Sequence, residues 1–123
     1  MNDCIIGIGS NIDADKNIPD MLRLLGVDVQ IIQVSQMVRT KPIGIADQAD
    51  YTNGAVRIKT EMSLTDLSVY LKALEDRMGR DRSQFGPRNI DLDILIWNNT
   101  IVDQDYYTRD FLRNSAAELG FKI

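Results

Sequence analysis

Apolar residues along the first third of this chain predict a strand, a helix and a second strand. Residues 4–8 form an apolar run that ends at Gly9-Ser10-Asn11, which is typical of a strand followed by a loop. From about residue 15 apolar positions recur at helical spacing, and Gly26 is expected to end that helix. Residues 27–39 then alternate as a long strand, whose change of phase at Ile31-Ile32 predicts a β-bulge.

The middle of the chain predicts a third strand and the clearest helix. A loop over residues 40–50 is long for its neighbours, and loops of this kind often carry function. Residues 54–60 alternate as the third strand. Ser63 followed by Asp66 has the pattern of a capping box, and the apolar stripe that follows predicts a helix ending at Gly79.

A fourth strand covers Ile90–Trp97 and completes the order β-α-β-β-α-β. This is the split-βαβ, ferredoxin-like plan, so we predict an α+β fold with one antiparallel sheet and two helices on one face. A chain of 123 residues can bury one core, so we treat residues 1–123 as a single domain. The pattern weakens after Asn98, so we assign a core over residues 4–98 and a short C-terminal tail over 99–123.

The fourth strand carries two carboxylates on one face. Read by twos, Asp91 and Asp93 share that face with Leu95 and Trp97, and the other face is Ile90, Leu92, Ile94 and Ile96. Two uncompensated carboxylates on a central strand repel each other and lose hydration, so a positive partner is expected between them. One possibility is a divalent cation; the other is a solvated face, or pairing with nearby arginines.

Arginines crowd the approach to that strand, in the stretch "RMGRDRSQFGPR" at residues 77–88. Guanidinium groups match phosphate oxygens, whereas carboxylate oxygens select Mg²⁺. Phosphates bridged by magnesium would use both sets of residues. The simpler interpretation, a solvated basic loop that neutralises the aspartates directly, stays open at this point.

Composition excludes several classes of function. The net charge of −4 argues against general binding to nucleic acids or anionic membranes. There is no histidine, so imidazole bases, histidine triads and most zinc sites are excluded. Cys4 lies in an apolar run and is predicted to be a buried, inert thiol. Because no basic leader or bilayer-length apolar segment occurs, we expect the cytoplasm as the location.

Taken together, these motifs resemble the 6-hydroxymethyl-7,8-dihydropterin pyrophosphokinase family. The resemblance rests on "IGSN" at residues 8–11, "RTKPIGIADQADYTNGAV" at 39–56 and "GRDRSQFGPRNIDLDIL" at 79–95. It implies Mg²⁺-dependent transfer of diphosphate from ATP to the pterin hydroxymethyl oxygen in folate biosynthesis, with AMP released. Such chemistry needs alignment and charge neutralisation more than covalent help, so the lack of histidine is no obstacle.

The resemblance also assigns roles by position. Asp91 and Asp93 would hold two Mg²⁺ ions, with Asp93 also counted as catalytic. The phosphate-binding and catalytic arginines would be Arg80, Arg82 and Arg88. Further ATP contacts would come from Glu75, Ile94 and Arg109. The pterin site would comprise Thr40, Pro42, Ile43, Tyr51, Asn53, Phe85 and Phe111, with Tyr51 as stacking platform and Asn53 as the amide that reads the ring.

The chain departs from the family pattern in three places. The loop between Arg82 and Gly86 is short, Lys41 replaces a usual proline, and the Pro-His pair of the C-terminal segment is missing. These departures support an alternative, a pterin- or nucleotide-binding module of the same family with weakened catalysis. A ferredoxin-like RNA-binding domain is a third interpretation, which the acidic composition and the lack of an aromatic ribonucleoprotein motif disfavour.

Overall fold

The computed structural model describes residues 1–40, 50–79 and 89–122, and the strands in these ranges belong to one sheet. The strands are β1 (Asn2–Ser10), β2 (Gln30–Val34), β3 (Val38–Thr40), β4 (Tyr51–Thr60), β5 (Asp91–Trp97) and β6 (Thr100–Ile101). The helices in these ranges are α1 (Ala14–Asp28), α2 (Leu64–Arg77), α3 (Asp105–Thr108) and α4 (Asp110–Glu118). Within the same ranges, none of the helices combines the length and apolar character needed to cross a bilayer.

The sheet has the order β2-β4-β1-β5-β6, and β3 pairs with β4 beside β2. Every neighbouring pair of strands is antiparallel. The two helical crossovers each connect strands that lie on either side of one central strand, β4 for the first and β1 for the second. This confirms the predicted α+β, ferredoxin-like class.

One face of the sheet packs against α1 and α2 to form the main core. The inward positions of the central strands alternate, as a half-buried strand requires, and those of the helices recur every three or four residues. Ser63 begins α2 as predicted, since its Oγ accepts a hydrogen bond from the Asp66 N–H at 3.1 Å. The largest fully buried side chains of this core include Ile6, Ile8, Met21, Leu25, Ile58, Leu67 and Leu74.

Cys4 also lies in this core and is 1% exposed. Burial, with the negative charge of Asp3 as a smaller cause, raises the pKa of the Cys4 thiol to about 12. The thiol therefore stays protonated near neutral pH, in agreement with the inert role predicted for it.

Two predicted boundaries at α1 are wrong. The helix continues past Gly26 to Asp28, so the predicted strand 27–39 starts too early and is broken into β2 and β3. Gly26 lies in the last turn of the helix, where a Cβ would meet the Ile31 side chain at 3.4 Å, an ordinary contact distance, so packing does not require glycine there. The predicted bulge is confirmed: Ile31 pairs with Ile58 and Gln33 with Arg57, which leaves Ile32 as the extra residue.

The tail assigned to residues 99–123 is ordered structure in the described part. It supplies β6, α3 and α4, and α4 covers one end of the sheet face opposite α1 and α2. This second core joins sheet and helix residues, namely Ile5, Ala55, Leu95, Ile96, Tyr106, Leu112, Ala116 and Leu119. The guanidinium of Arg57 ties the end of α4 to the sheet, since it donates to the Leu119 carbonyl and pairs with Asp3.

A second bulge changes the faces of β5. Ile5 pairs with Ile96 and Ile6 with Ile94, so Leu95 is an extra residue in β5. Ile96 therefore joins Leu95 in the second core, and Trp97 packs against the main core. The strict alternation predicted for residues 90–97 is wrong at Ile96 and Trp97, because a bulge shifts the side-chain phase by one residue.

Candidate active site

On the sheet face opposite α1 and α2, α4 and the second core cover only one end. The other end carries several predicted site residues side by side. Gly9 pairs with Asn53 on one side and with Asp91 on the other, and Gly7 pairs with Asp93. Since neighbouring strands lie about 4.8 Å apart, Asn53 and Asp91 are separated by roughly 10 Å across one glycine. We call Gly7, Gly9, Asn53, Asp91 and Asp93 the open end of the sheet.

The absence of a side chain at Gly9 leaves space above the sheet at the open end. A Cβ at Gly9 would lie 3.2 Å from the Asn53 Oδ1 and 3.7 Å from the Tyr51 ring, and 3.9 Å from the Asp91 Cβ. The amide, the aromatic ring and the carboxylate therefore surround the same glycine. A side chain at this position would crowd the amide and occupy the space between the three groups.

The predicted aromatic platform and amide lie on neighbouring positions of one face. Tyr51 and Asn53 are two residues apart on β4, and Tyr51 pairs with Thr40 of β3. The Asn53 Nδ2 donates a hydrogen bond to the Thr40 Oγ1, which orients the amide. Asn53 is 9% exposed, so its remaining hydrogen-bonding capacity lies in a largely dry setting suited to reading a polar ring edge.

Asp93 stands in a strongly negative environment. Its side chain keeps contact with solvent, yet loss of surrounding water is the main cause that raises its pKa to about 7. The negative charges of four nearby carboxylates raise this pKa further. They belong to Asp91 of β5, Asp103 after β6, Glu75 of α2 and Asp105 of α3. Among the described residues, the charged neighbours that shift the pKa of Asp93 are all negative, so negative charge is concentrated around Asp93 in this part of the chain.

The donor set of the two aspartates fits a magnesium ion. Asp91 and Asp93 share one face of β5, with Cα atoms about 7 Å apart by strand geometry. Within residues 1–40, 50–79 and 89–122, no three acidic or cysteine side chains cluster as a complete metal cage. Mg²⁺ does not need one, since it is usually held by one or two carboxylates together with substrate phosphates and water.

A groove of about 300 Å³ runs beside Asp93 between β5 and α2. Ile94 lines this groove, as expected if it contacts a nucleotide, and Leu92 lies next to it. The other lining residues come from α2 and from the connection after β6: Leu64, Ser68, Leu71, Lys72, Val102 and Asp103. The groove is partly apolar, lies next to the carboxylate pair, and is large enough for a small ligand group.

Glu75 is the most buried of the predicted site residues that the structure describes. It is 2% exposed, and its Oε2 accepts a hydrogen bond from the Leu92 N–H at 2.7 Å. Nearby, the Asn89 Nδ2 donates to the Met78 carbonyl at 2.6 Å. Gly79 and Asn89, the described residues on either side of residues 80–88, therefore lie next to each other beside the start of β5.

Six predicted site residues fall outside the described ranges. They are Pro42, Ile43, Arg80, Arg82, Phe85 and Arg88.

The comparisons with known proteins match the sequence of this chain to one family. The family model described as 7,8-dihydro-6-hydroxymethylpterin-pyrophosphokinase (HPPK) matches residues 5–120. The chain belongs to the HPPK family. Members of this family are ATP-dependent pyrophosphokinases that use Mg²⁺, which agrees with the predicted family, enzyme class and kind of cofactor.

Individual relatives give the same result. The 2-amino-4-hydroxy-6-hydroxymethyldihydropteridine pyrophosphokinase of Bacillus subtilis is 35% identical, over 96% of this chain and 78% of the relative. The protein of that name from Haemophilus influenzae is 32% identical, over 84% of this chain and 67% of the relative. The mitochondrial folate synthesis bifunctional protein of Pisum sativum is 36% identical, over 85% of this chain but only 21% of the relative.

Two residues that sequence reasoning assigned to HPPK-type binding lie in the C-terminal segment. Arg109 forms an ion pair with Asp105 at 3.6 Å, and Asp105 is one of the carboxylates that raise the pKa of Asp93. Phe111 packs against the second core, on the sheet face that carries the open end. The segment therefore reaches the acidic side of the site, and the direct ligand contacts of both residues remain predictions.

The sequence analysis did not assign Gly7, Gly9 or the outer carboxylates to the candidate site. Gly9 was predicted to lie in the loop after the first strand, which is wrong because β1 extends to Ser10, and only the strand register shows that Gly7 and Gly9 lie between β4 and the aspartates. Asp103 and Asp105 lie in the segment interpreted as a tail, so no pattern pointed to their effect on Asp93. Long-range pairing carries this information, and local periodicity does not.

Proposed function

We propose that this protein transfers a diphosphate group from ATP to the hydroxymethyl oxygen of 6-hydroxymethyl-7,8-dihydropterin. The pterin oxygen attacks the β-phosphorus of ATP, the bond from that phosphorus to the α,β-bridging oxygen breaks, and AMP leaves. The hydroxyl proton passes to solvent or to a basic group at the site. The products are the pterin diphosphate and AMP, a step of folate biosynthesis.

The observation that carries this proposal is the register at Gly9, which places Asn53 and Asp91 on either side of one glycine. A pterin stacked on Tyr51 and read by the Asn53 amide would point toward the aspartates. A nucleotide whose phosphates meet Asp91 and Asp93 would lie along the groove that Ile94 lines. The two reactants would then meet over Gly7 and Gly9, which supports transfer by alignment.

For the metal, we propose two Mg²⁺ ions held by Asp91 and Asp93 together with the triphosphate. When bound, the ions neutralise phosphate charge and polarise the phosphorus that is attacked. The protein contributes the positions of both carboxylates on one strand face. The raised pKa of Asp93 supports the proposal, because a carboxylate among like charges gains most from a nearby cation.

The remaining contacts are proposed from the family resemblance. Arg80, Arg82 and Arg88 grip the phosphates from the segment that begins and ends beside β5. Pro42, Ile43, Phe85 and Phe111 complete the pterin slot with Thr40, and Arg109 reaches ATP. We further propose that the reaction takes place in the cytoplasm, with small molecules as the only required partners.

The test is an assay of AMP formation from ATP, Mg²⁺ and the reduced hydroxymethylpterin. We expect Mg²⁺-dependent AMP release, and a loss of at least about a thousandfold in Asp93→Ala, since a metal ligand supplies several kcal/mol of transition-state stabilisation. Asp20→Ala, a change of the same kind at a partly exposed position of α1, is the control and should retain activity. Circular dichroism checks that both variants fold.

Absence of AMP from the wild-type protein at every pH would refute the proposed transfer. If calorimetry then showed tight binding of the pterin or of ATP, the weakened binding module would be the correct interpretation. Equal activity in Asp93→Ala and wild type would instead remove the aspartates from the mechanism.

A further inference from the structure

The backbone between the two aspartates has an unusual partner. Along its inner edge β5 pairs with β1, and along its outer edge β6 pairs only with Ile96 and Trp97. Leu92 lies outside that short pairing, and its N–H is bound by the Glu75 carboxylate of α2 at 2.7 Å. A side chain from a helix therefore replaces the missing neighbouring strand at this residue.

Strand geometry places this contact between the two carboxylates. Successive residues of a strand direct their backbone polar groups to opposite edges. Since the Leu92 N–H points outward to Glu75, the backbone groups of Asp91 and Asp93 point inward to β1, where they face Gly9 and Gly7. The three-residue segment is thus held from both sides, and Glu75 supplies the outer side.

A buried carboxylate is a costly group with which to bind the Leu92 N–H. Glu75 is 2% exposed, and a buried carboxylate beside other carboxylates costs free energy. A methionine would fill a similar volume without that cost. What a carboxylate adds is a short, charge-assisted hydrogen bond to a backbone N–H, which is stronger and more directional than a neutral one.

A second contact fastens the same two elements. Asn89 lies two residues before Asp91, and its side chain donates a hydrogen bond to the Met78 carbonyl at the end of α2. Glu75 and Asn89 together hold the end of α2 against the start of β5. Of the two, Glu75 acts at the residue that separates the aspartates, so it has the more direct control over their spacing.

We propose that Glu75 is a positioning residue, whose carboxylate fixes the Leu92 backbone and thereby the spacing and direction of Asp91 and Asp93. It acts through β5, and because Glu75 is 2% exposed and bound to the Leu92 N–H, this role replaces the ATP contact that the family resemblance implies for it. The proposal deepens the proposed function, on which it rests in one respect, namely that the two aspartates bind a divalent cation. The anchoring of Leu92 itself can be tested in the protein without any ligand.

The first measurement is amide hydrogen exchange at Leu92 by NMR, without metal or nucleotide. We expect slow exchange in wild type, intermediate exchange in Glu75→Gln, which keeps a neutral acceptor oxygen, and fast exchange in Glu75→Met. Asp76→Asn removes a carboxylate from the exposed side of the same helix and should match wild type. Continued protection of Leu92 in Glu75→Met would overturn the proposed anchor.

The second measurement is calorimetric binding of Mn²⁺ in the presence of a non-hydrolysable ATP analogue. We expect Glu75→Met to weaken Mn²⁺ binding about 10- to 100-fold, as loss of a group that orients metal ligands does, and Glu75→Gln to recover most of it. A role in packing alone predicts the reverse order, because methionine fills the volume. Unchanged Mn²⁺ affinity in a Glu75→Met variant that has lost Leu92 protection would refute the positioning role.

The two measurements separate this inference from the proposed function. If wild type binds Mn²⁺ but forms no AMP, the proposed transfer fails and the role of Glu75 in positioning the aspartates stands. If AMP forms normally and Glu75→Met behaves as wild type in both measurements, the inference fails alone. Should Glu75→Met not fold, Glu75→Gln still tests it through the expected intermediate exchange at Leu92, and exchange identical to wild type would count against the anchor.

Discussion

The two ends of one sheet face serve different purposes in this protein. At the end that we call the covered end, Ile5, Leu95 and Ile96 pack beneath α4 and are nearly inaccessible to solvent. At the open end the same strands continue with glycines, an asparagine and two aspartates. The same strands thus provide buried apolar packing at one end and a polar site at the other. The change from apolar to polar residues occurs within two or three residues on each strand.

The contrast shows what the C-terminal segment contributes. Without α4, the covered end would expose a contiguous apolar surface, which soluble domains seldom tolerate. With α4 in place, the central strands are packed on both faces at that end, so their continuation into the open end is held rigidly. Sites built on rigid elements keep ligand groups in register more accurately than sites built on loops.

The largest expected effect on this contrast comes from removing packing at the covered end. Leu119 is 1% exposed and belongs to the second core. We expect Leu119→Ala to lower the free energy of unfolding by about 2–4 kcal/mol, because it leaves a cavity between α4 and the sheet. Urea denaturation measures this loss, and the folded fraction should retain its AMP-forming activity.

Val69→Ala is the control, since Val69 is 65% exposed on α2 and its truncation should cost less than about 0.5 kcal/mol. A Leu119→Ala variant as stable as this control would show that α4 does not anchor the sheet. Full stability with lost activity would show that the covered end belongs to the reaction itself.

A smaller effect is expected from charge at the open end. Aspartate in an unfolded chain ionises near pH 4, whereas the pKa of Asp93 in the fold is raised to about 7. The folded protein therefore binds more protons than the unfolded chain between these values. The contribution of Asp93 to stability is fully present below pH 4 and is lost as the pH rises through 7.

Because Asp93 keeps contact with solvent, screening limits this contribution to no more than about 1 kcal/mol. Urea denaturation at pH 5 and pH 8, with a chelator present, should show a steeper fall in stability for wild type than for Asp93→Asn. If the free energy of unfolding fell equally with pH in the two proteins, the pKa of Asp93 would not be raised in the folded state.

The parts of the fold that were predictable carry local signals. The start of α2 follows from Ser63 and its apolar stripe, and the β2 bulge follows from the change of phase at Ile31-Ile32. Gly26 was misjudged because glycine often ends a helix, whereas here α1 continues to Asp28 and the Val29 N–H bonds to the Leu25 carbonyl. Propensity is a weak guide to the exact end of a helix.

The C-terminal segment was missed for a related reason. The nine residues of α4 are too few to form a stable helix alone, and their apolar positions become meaningful only against the sheet. The bulge at Leu95 was equally hidden, since residues 94–97 are all apolar and an apolar run shows no change of phase. The shared strand face of Asp91 and Asp93 was nevertheless predicted correctly, because both residues precede the bulge.

Paramagnetic broadening of backbone amide signals by Mn²⁺, in the presence of a non-hydrolysable ATP analogue, tests the central claim most directly. We predict that the signals of Gly7 and Gly9 broaden at a lower Mn²⁺ concentration than those of Ile5 and Ile96, and that Asp93→Asn greatly weakens the effect. Broadening centred on the covered end, or equal in wild type and Asp93→Asn, would contradict a divalent-cation site at the open end.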